Sequence, residues 1–180
     1  MIEKQAVTVR PLEQEDLALI LDWRNHPEVR RYMYSQHPIK PEEHQQWFLS
    51  CQNNPERHPL IVEQEGKPFG FVNFTEHKNR KIADWGFYLA PDAKKGVGSL
   101  LGQSALNYAF NTLKLHKICG EALGFNDKSI RFHLKMGFRQ EGLLKDQFFD
   151  AQQSQFHDIA CFGLLASEWS SQYSTPEHPI

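Results

Sequence analysis

The chain has 180 residues, 40% of them hydrophobic and 23% charged, which is the composition of an ordinary globular protein rather than of a disordered one. Its formal net charge of −2 argues against a broad basic surface for nucleic acid. At this length we expect one domain over residues 1–169, followed by a polar tail over residues 170–180.

The cysteines and the N-terminal segment bear on the compartment. Cys51, Cys119 and Cys161 are widely spaced, and their odd number fits a reducing compartment better than a disulfide framework. The N-terminal segment carries Glu3 and Lys4 and has no apolar run typical of an export signal. No window approaches the roughly 18 apolar residues of a membrane-spanning helix. These features predict a cytoplasmic protein with no membrane partner.

The N-terminal part of the chain predicts a strand followed by three helices. Val7 and Val9 alternate as in a strand, and apolar residues from Leu17 onward follow helical spacing. A second, short helix is expected between Pro27 and Pro38, with Pro27 in its first turn. The third helix is indicated by residues spaced along one helical face, namely His44, Trp47, Phe48 and Cys51.

Residues 57–90 are rich in β-branched and aromatic residues and predict an antiparallel meander. Its strands are Leu60–Glu63, Phe69–Thr75 and Lys81–Leu89, with turns at Glu65-Gly66 and Lys78-Asn79-Arg80. The remaining predicted elements are a long helix over Val97–Tyr108, a strand over Lys117–Leu123, a helix capped by Asn126 and ended by Gly137, and strands around Gly142–Phe149 and Phe156–Leu165.

A glycine-containing loop, Lys94-Lys95-Gly96-Val97-Gly98, lies between a predicted strand and the long helix. Its glycines let backbone N–H groups approach an anion, and its lysines and the helix N-terminus add positive charge, so the loop is a candidate phosphate site. The alternative is that the glycines only form a tight turn. No Gly-Lys-Ser or Gly-Lys-Thr ends the loop, and Leu101 stands where a dinucleotide fingerprint has glycine, which argues against ATP hydrolysis and nicotinamide chemistry.

Metal catalysis and covalent catalysis are not indicated. The sequence has no HExxH, CxxC or GxSxG motif. Cys119 and Cys161 lie inside predicted strands, where a buried thiol is usually inert. We therefore expect a metal-free site without a nucleophilic cysteine or serine.

Two motifs resemble those of the GNAT superfamily of N-acetyltransferases, which bind acetyl-CoA. Lys94–Gly98 keeps both glycines of the superfamily's Arg/Gln-x-x-Gly-x-Gly/Ala loop, with Ala93 in the Arg/Gln position. Asn126–Phe138 resembles Asn-x-x-Ala-x-x-Leu-Tyr-x-Lys-x-Gly-Phe. The resemblance implies an α/β (α+β) fold with a central mixed, mostly antiparallel seven-stranded sheet flanked by helices. It also implies acetyl-CoA as co-substrate and no metal.

Four further segments carry a closer resemblance: Asp22–Arg30 with Met33-Tyr34, Pro41–His44, Trp85–Leu89 and Gly163–Trp169. They are similar to bacterial enzymes of pseudaminic acid biosynthesis that acetylate the 4-amino group of UDP-4-amino-4,6-dideoxy-N-acetyl-β-L-altrosamine. The resemblance implies direct attack of the neutral sugar amine on the thioester, with catalysis by proximity, proton transfer and oxyanion stabilisation.

The resemblance also implies site residues. Those for acetyl-CoA are Phe87, Tyr88, Leu89, Lys94, Lys95, Gly96, Val97, Gly98, Ser99, Asn126, Ser129 and Phe132. Those for the nucleotide sugar are Arg24, Arg30, Met33, Tyr34, His44, Trp47 and Thr75. His133 stands in the position of the superfamily's tyrosine acid, and Glu121 or His44 is the candidate base. The alternatives are that His133 and His44 pack on apolar helix faces and that Glu121 is a solvated strand residue.

Other functions remain open at this point. A first alternative acceptor is the N-terminal amine of a ribosomal protein, since the ribosomal-protein acetyltransferases share the opening Arg10-Pro11-Leu12. A peptide would not need the phosphate-binding candidates Arg24, Arg30 and His44. A non-catalytic acyl-CoA-binding module and, more remotely, a nucleic-acid-binding protein are further alternatives. The protein is expected to be a monomer or a homodimer.

Overall fold

The computed structural model of the chain describes residues 6–78 and 81–173. Its helices and strands, in chain order, are β1 (Val7–Pro11), α1 (Leu17–Asn25), α2 (Pro27–Arg30), α3 (Pro41–Gln52), β2 (Arg57–Gln64), β3 (Lys67–Glu76), β4 (Ile82–Leu89), α4 (Val97–Asn107), β5 (Lys117–Leu123), α5 (Asp127–Lys135), β6 (Arg139–Asp150), β7 (Gln155–Leu165) and α6 (Ala166–Tyr173). A 3-10 turn over Gln14–Asp16 precedes α1, and a π-helical turn over Tyr108–Thr112 follows α4.

Within the described residues, seven strands form one sheet in the order β1-β2-β3-β4-β5-β7-β6. Every neighbouring pair is antiparallel except β4 and β5, which are parallel. The mixed, mostly antiparallel sheet flanked by helices is therefore confirmed. No helix in the described ranges is long and apolar enough to cross a membrane.

Helices cover both faces of the sheet, because each helix buries its apolar side against the strands. On one side, Leu101 of α4 packs with Val72 of β3 in a cluster where both are fully buried. On the other side, Ile20 of α1 and Phe48 of α3 pack with Ile61 of β2. Burying a side chain of this size contributes roughly 1.5–3 kcal/mol. The two clusters hold the sheet between helical layers, with β4 and β5 near its centre.

One predicted helix and the predicted C-terminal tail differ in the structure, and α6 is a helix that the sequence did not predict. α2 ends at Arg30 after a single turn, although the sequence predicts that it continues toward Tyr34. The reason is that α1 binds the backbone beyond α2, since Arg24 donates to the Ser35 carbonyl oxygen over 3.0 Å. At the C-terminus, α6 continues to Tyr173, four residues into the predicted tail. The predicted turn residues Asn79 and Arg80, and residues 174–180 of the tail, lie outside the described residues.

The parallel pair β4 and β5 is short. Only Ile82–Asp84 of β4 pairs with Lys117–Cys119 of β5, and beyond these residues the strands separate. β4 stays paired with β3 up to Leu89, whereas β5 pairs with β7 over Lys117–Leu123. The strands therefore leave a gap in the middle of the sheet, which we call the β4–β5 gap.

Candidate functional site

One wall of the β4–β5 gap is the backbone of β4. Ala90 N donates to Phe69 O of β3 over 2.9 Å. In an antiparallel pair, every second residue forms its backbone hydrogen bonds with the neighbouring strand, and the residues between them direct theirs to the other side. Phe87 and Leu89 therefore direct their N–H and C=O groups toward β5. No described strand pairs with them there, because the β4–β5 ladder ends at Asp84. A linear molecule carrying amide groups can bind to β4 in this gap as an additional strand would.

The predicted anion loop adjoins this wall. Gly96 caps α4 with φ +94°, a left-handed conformation that glycine adopts without strain, and the helix begins at Val97. The first backbone N–H groups of a helix lack intrahelical acceptors, and Lys94 and Lys95 are exposed beside them. The loop thus forms a tight turn and also presents backbone N–H groups and two lysines at one helix end. Lys135 Nζ donates to Ser99 Oγ over 2.9 Å, which adds a third cation to this end of the gap.

α5 forms a second wall. The side chain of Asn126 accepts a hydrogen bond from Ser129 N over 3.1 Å, which confirms its predicted capping role. Phe132 packs on Phe87 of β4 with ring centroids 4.9 Å apart. The predicted acetyl-CoA residues on β4, the loop and α5 therefore surround one gap. Tyr88 points to the opposite sheet face, where it packs on Phe71.

His133 lies in the interior between these walls. Its side chain is only 1% exposed, and burial lowers the pKa of its imidazole. Trp85 Nε1–H donates to His133 Nε2 over 3.1 Å, and His133 Nδ1–H donates to the Ser129 carbonyl oxygen over 2.8 Å. Because both ring nitrogens are occupied within the fold and Nε2 carries no proton, these contacts do not support the prediction that His133 protonates a leaving thiolate.

A cavity of about 290 Å³ lies on the sheet face opposite α4 and is lined by Tyr34, Glu121, Leu144, Gln147, Phe148 and Ile159. The Tyr34 hydroxyl donates to Glu121 Oε2, and the Tyr34 ring packs with Phe148 at 5.8 Å between centroids. Burial, together with this hydrogen bond, raises the pKa of Tyr34 above its usual value, so the hydroxyl stays protonated. Two predicted residues from distant parts of the chain thus meet in one cavity.

The β6 and β7 residues of this cavity were not predicted from the sequence. The register of β6 against β7 shifts between Leu144 and Phe148, and Asp146 in the bulge has φ 47°. Such a bulge re-aims side chains and leaves no period-two signal that identifies its position. Two other groups on this face, the thiols of Cys119 and Cys161, have pKa values raised by burial, which disfavours a nucleophilic thiolate.

A basic cluster adjoins the cavity. Arg24 Nη2 donates to the carbonyl oxygen of Ser35, the residue after Tyr34, while the buried Arg24 Nη1 has no hydrogen-bond partner among the described residues. His44 is 7% exposed and stacks on Trp47 with centroids 5.2 Å apart, and burial and the nearby Arg24 lower its pKa. The structure therefore brings together three of the predicted acceptor-binding residues.

The remaining predicted acceptor residues lie at different distances from this cluster. Arg30 is close enough to influence the pKa of Arg24, and Met33 N donates to the Arg30 carbonyl oxygen over 3.0 Å. Thr75 lies on β3 opposite Asp84, at the last paired position of the β4–β5 ladder rather than beside the cavity. Among the described residues, no three His, Cys, Asp or Glu side chains form a metal-binding group.

Comparisons with known proteins agree with this arrangement. Residues 6–139 match the family described as an acetyltransferase (GNAT) domain. The spermidine N(1)-acetyltransferase of Escherichia coli (strain K12) is 26% identical, over 98% of this chain and 95% of the relative. The acetyltransferase PseH of Campylobacter jejuni is 28% identical, over 71% of this chain and 79% of the relative.

The fold also matches solved structures. The spermidine N-acetyltransferase of Vibrio cholerae in complex with CoA and spermine superposes with a TM-score of 0.82 at 26% identity, covering 91% of this chain and 97% of the other. A spermidine N(1)-acetyltransferase and the acetyltransferase PseH therefore occur among relatives of similar identity.

Proposed function

We propose that the acceptor of this protein is a UDP-linked 4-amino-4,6-dideoxy sugar. The chain belongs to the GNAT acetyltransferase family and is an N-acetyltransferase that uses acetyl-CoA. The acetyl group would be transferred to the 4-amino group, as in pseudaminic acid biosynthesis. The similarity to PseH supports this acceptor. The observation that carries the proposal is the half-buried Arg24 side chain, whose buried Nη1 has no hydrogen-bond partner among the described residues.

Arg24 favours an anionic acceptor. A guanidinium keeps its charge even where burial lowers its pKa, because its ordinary pKa is far above neutrality. A buried charge with an unpartnered N–H is costly unless a ligand pairs with it. The planar fork of arginine matches phosphate oxygens, and the sugar nucleotide brings a diphosphate. A polyamine would bring only further positive charge.

The positions of β4 and β5 support separate places for acetyl-CoA and the acceptor, which would approach each other from opposite faces of the sheet. Acetyl-CoA would lie in the β4–β5 gap, bonded to the β4 backbone, with its pyrophosphate at the loop before α4. The acceptor would enter the cavity on the opposite face. Asp84 pairs with Cys119, so Gly86 and Glu121, two residues further along each strand, share that face. A Cβ on Gly86 would meet no atom within 4 Å, which leaves the floor open.

In this assignment Glu121 is the base. The amine nitrogen attacks the thioester carbonyl carbon, and Glu121 accepts the proton that the nitrogen loses as the C–N bond forms. The C–S bond then breaks, and the thiolate leaves with the electron pair and is protonated by solvent. Tyr34 holds the Glu121 carboxylate toward the cavity until the amine takes its place. Backbone N–H groups of β4 are the candidate donors to the developing oxyanion.

Spermidine is the second candidate acceptor. The E. coli spermidine N(1)-acetyltransferase aligns with 98% of this chain. In the cavity, the carboxylate of Glu121 and the aromatic rings of Tyr34 and Phe148 suit an alkylammonium group. The two candidates differ in their need for Arg24, since only the nucleotide sugar carries an anion to pair with it.

The deciding experiment measures acceptor-dependent release of CoA thiol from acetyl-CoA. The acceptors are the UDP-4-amino sugar, spermidine and an N-terminal ribosomal peptide. Release with the UDP sugar, with a KM raised about tenfold or more in Arg24→Met and unchanged in Arg31→Met, would support the proposal. Arg31 is the matched control because it is a nearby arginine at the end of α2, is exposed and is paired with Glu28. Release with spermidine or the peptide alone would overturn the sugar assignment, and acetyl-CoA binding without transfer would favour a non-catalytic module.

A further inference from the structure

We infer that His133 is a positioning residue: as a neutral imidazole it connects β4 to α5 across the base of the β4–β5 gap and thereby sets the shape of the acetyl-CoA site. The inference rests on the proposed use of this gap by acetyl-CoA. It assigns to His133 a role different from the proton donor that its place in the family motif suggests.

The hydrogen bonds determine the tautomer. An indole N–H can only donate and a carbonyl oxygen can only accept. Since Trp85 Nε1 lies 3.1 Å from His133 Nε2, and Ser129 O lies 2.8 Å from Nδ1, the proton must be on Nδ1. A second proton on Nε2 would face the Trp85 N–H, donor against donor. The bridge therefore requires the neutral ring.

Packing holds the ring in this place. His133 stacks on Phe162 of β7 with centroids 4.7 Å apart and an interplanar angle of 12°. A Cβ on Gly120 of β5 would lie 2.5 Å from His133 Nε2 and 2.7 Å from Trp85 Nε1, so the glycine makes room for the pair. The other neighbouring rings are Phe87, Phe132 and Phe138. These contacts are apolar, so no acidic side chain among them favours a charged imidazole.

The bridge joins the two walls of the gap. Trp85 is the first β4 residue beyond the β4–β5 ladder, and Ser129 lies in the first turn of α5, next to the Asn126 cap. The Trp85–His133 hydrogen bond gives the β4 wall a polar side-chain link to α5, next to the Phe87–Phe132 ring contact. Loss of the bridge should therefore change the distance between the walls and weaken acetyl-CoA binding before it affects any chemical step.

A double-mutant cycle tests this. The variants are His133→Phe, Trp85→Phe, the double variant and His133→Gln, and the primary readout is acetyl-CoA affinity by calorimetry, which needs no acceptor. Each single Phe variant leaves one polar group buried and unpaired, which favours a shift of the walls that exposes this group to water, so we expect acetyl-CoA affinity to fall about tenfold. The double variant leaves no polar group without a partner and should recover to within about threefold of wild type. His133→Gln, which can donate to Ser129 and accept from Trp85, should retain affinity.

Two results would overturn the inference. One is a double variant that binds acetyl-CoA no better than the single variants. The other is wild-type affinity in every variant, with kcat reduced about 100-fold or more and one limb of its pH profile lost, as an acid would give. If His133→Phe fails to fold, His133→Gln decides by the same readouts. An error in the proposed acceptor would leave the calorimetric cycle unchanged, so the two ideas fail separately.

Discussion

Replacing Gly120 with alanine tests the packing at the base of the β4–β5 gap. The new Cβ would lie 2.5 Å from His133 Nε2, 2.7 Å from Trp85 Nε1 and 2.9 Å from His133 Cδ2. These atoms belong to buried rings that are stacked and hydrogen-bonded, so neither ring can move without disturbing its other contacts. Overpacking of this kind costs about 1–3 kcal/mol.

The matched control is Gly86→Ala, a glycine in neighbouring β4 where an added Cβ meets no atom within 4 Å. For a chain of this size each kcal/mol shifts Tm by about 2–4 °C, so we expect Gly120→Ala to lower Tm by about 2–12 °C. Gly86→Ala should change the free energy of unfolding by less than about 1 kcal/mol. Thermal unfolding followed by circular dichroism measures both. Equal Tm values for the two variants would refute the packing argument.

Three further predictions concern charged groups. Glu121→Gln should lower kcat about 100-fold or more while calorimetry gives an unchanged affinity for acetyl-CoA, and an unchanged kcat would exclude Glu121 as base. Arg24→Met should raise the KM for the UDP sugar about tenfold or more, because a hydrogen bond to a charged group contributes about 1.5–3 kcal/mol, and an unchanged KM would contradict the anion site. Arg10 holds the pKa of Asp16 below its usual value, so this carboxylate stabilises the fold above the unfolded pKa of about 3.9, and the stabilisation is lost as pH falls through the lower folded pKa. In urea unfolding, the deficit of Asp16→Asn should therefore be large at pH 7 and disappear in strong acid, whereas a deficit independent of pH would refute the linkage.

Much of the fold follows from local patterns. The strand predicted over Lys117–Leu123 has those bounds in the structure, and Asn126 caps α5 as predicted. These elements are predictable because strand periodicity and capping depend on residues close in sequence. The α2 prediction was too long because side chains of α1 bind the following backbone. Asn25, for example, exchanges hydrogen bonds with the backbone of Ile39 at 2.8 and 2.7 Å.

The candidate site was partly predictable. The loop before α4 and the α5 motif are short segments that carry the family resemblance, so a candidate acetyl-CoA site could be predicted without a structure. The cavity proposed for the acceptor could not be predicted, because it depends on a bulge in β6 and on contact between Tyr34 and Glu121. Those residues are 87 positions apart, and nothing in the neighbourhood of either predicts the other.

Periodicity and turn chemistry predict most of the helices and strands, and two short motifs carry the resemblance to the GNAT superfamily that implies the fold and acetyl transfer from acetyl-CoA. Each of these signals is contained in a few consecutive residues. The environment of His133 is different. Its partner Trp85 is 48 residues away and reaches it only after β4 and β5 separate and Gly120 leaves room for both rings. Burial and hydrogen bonding set the protonation of a side chain, and both are properties of the packed molecule rather than of the motif in which the residue stands.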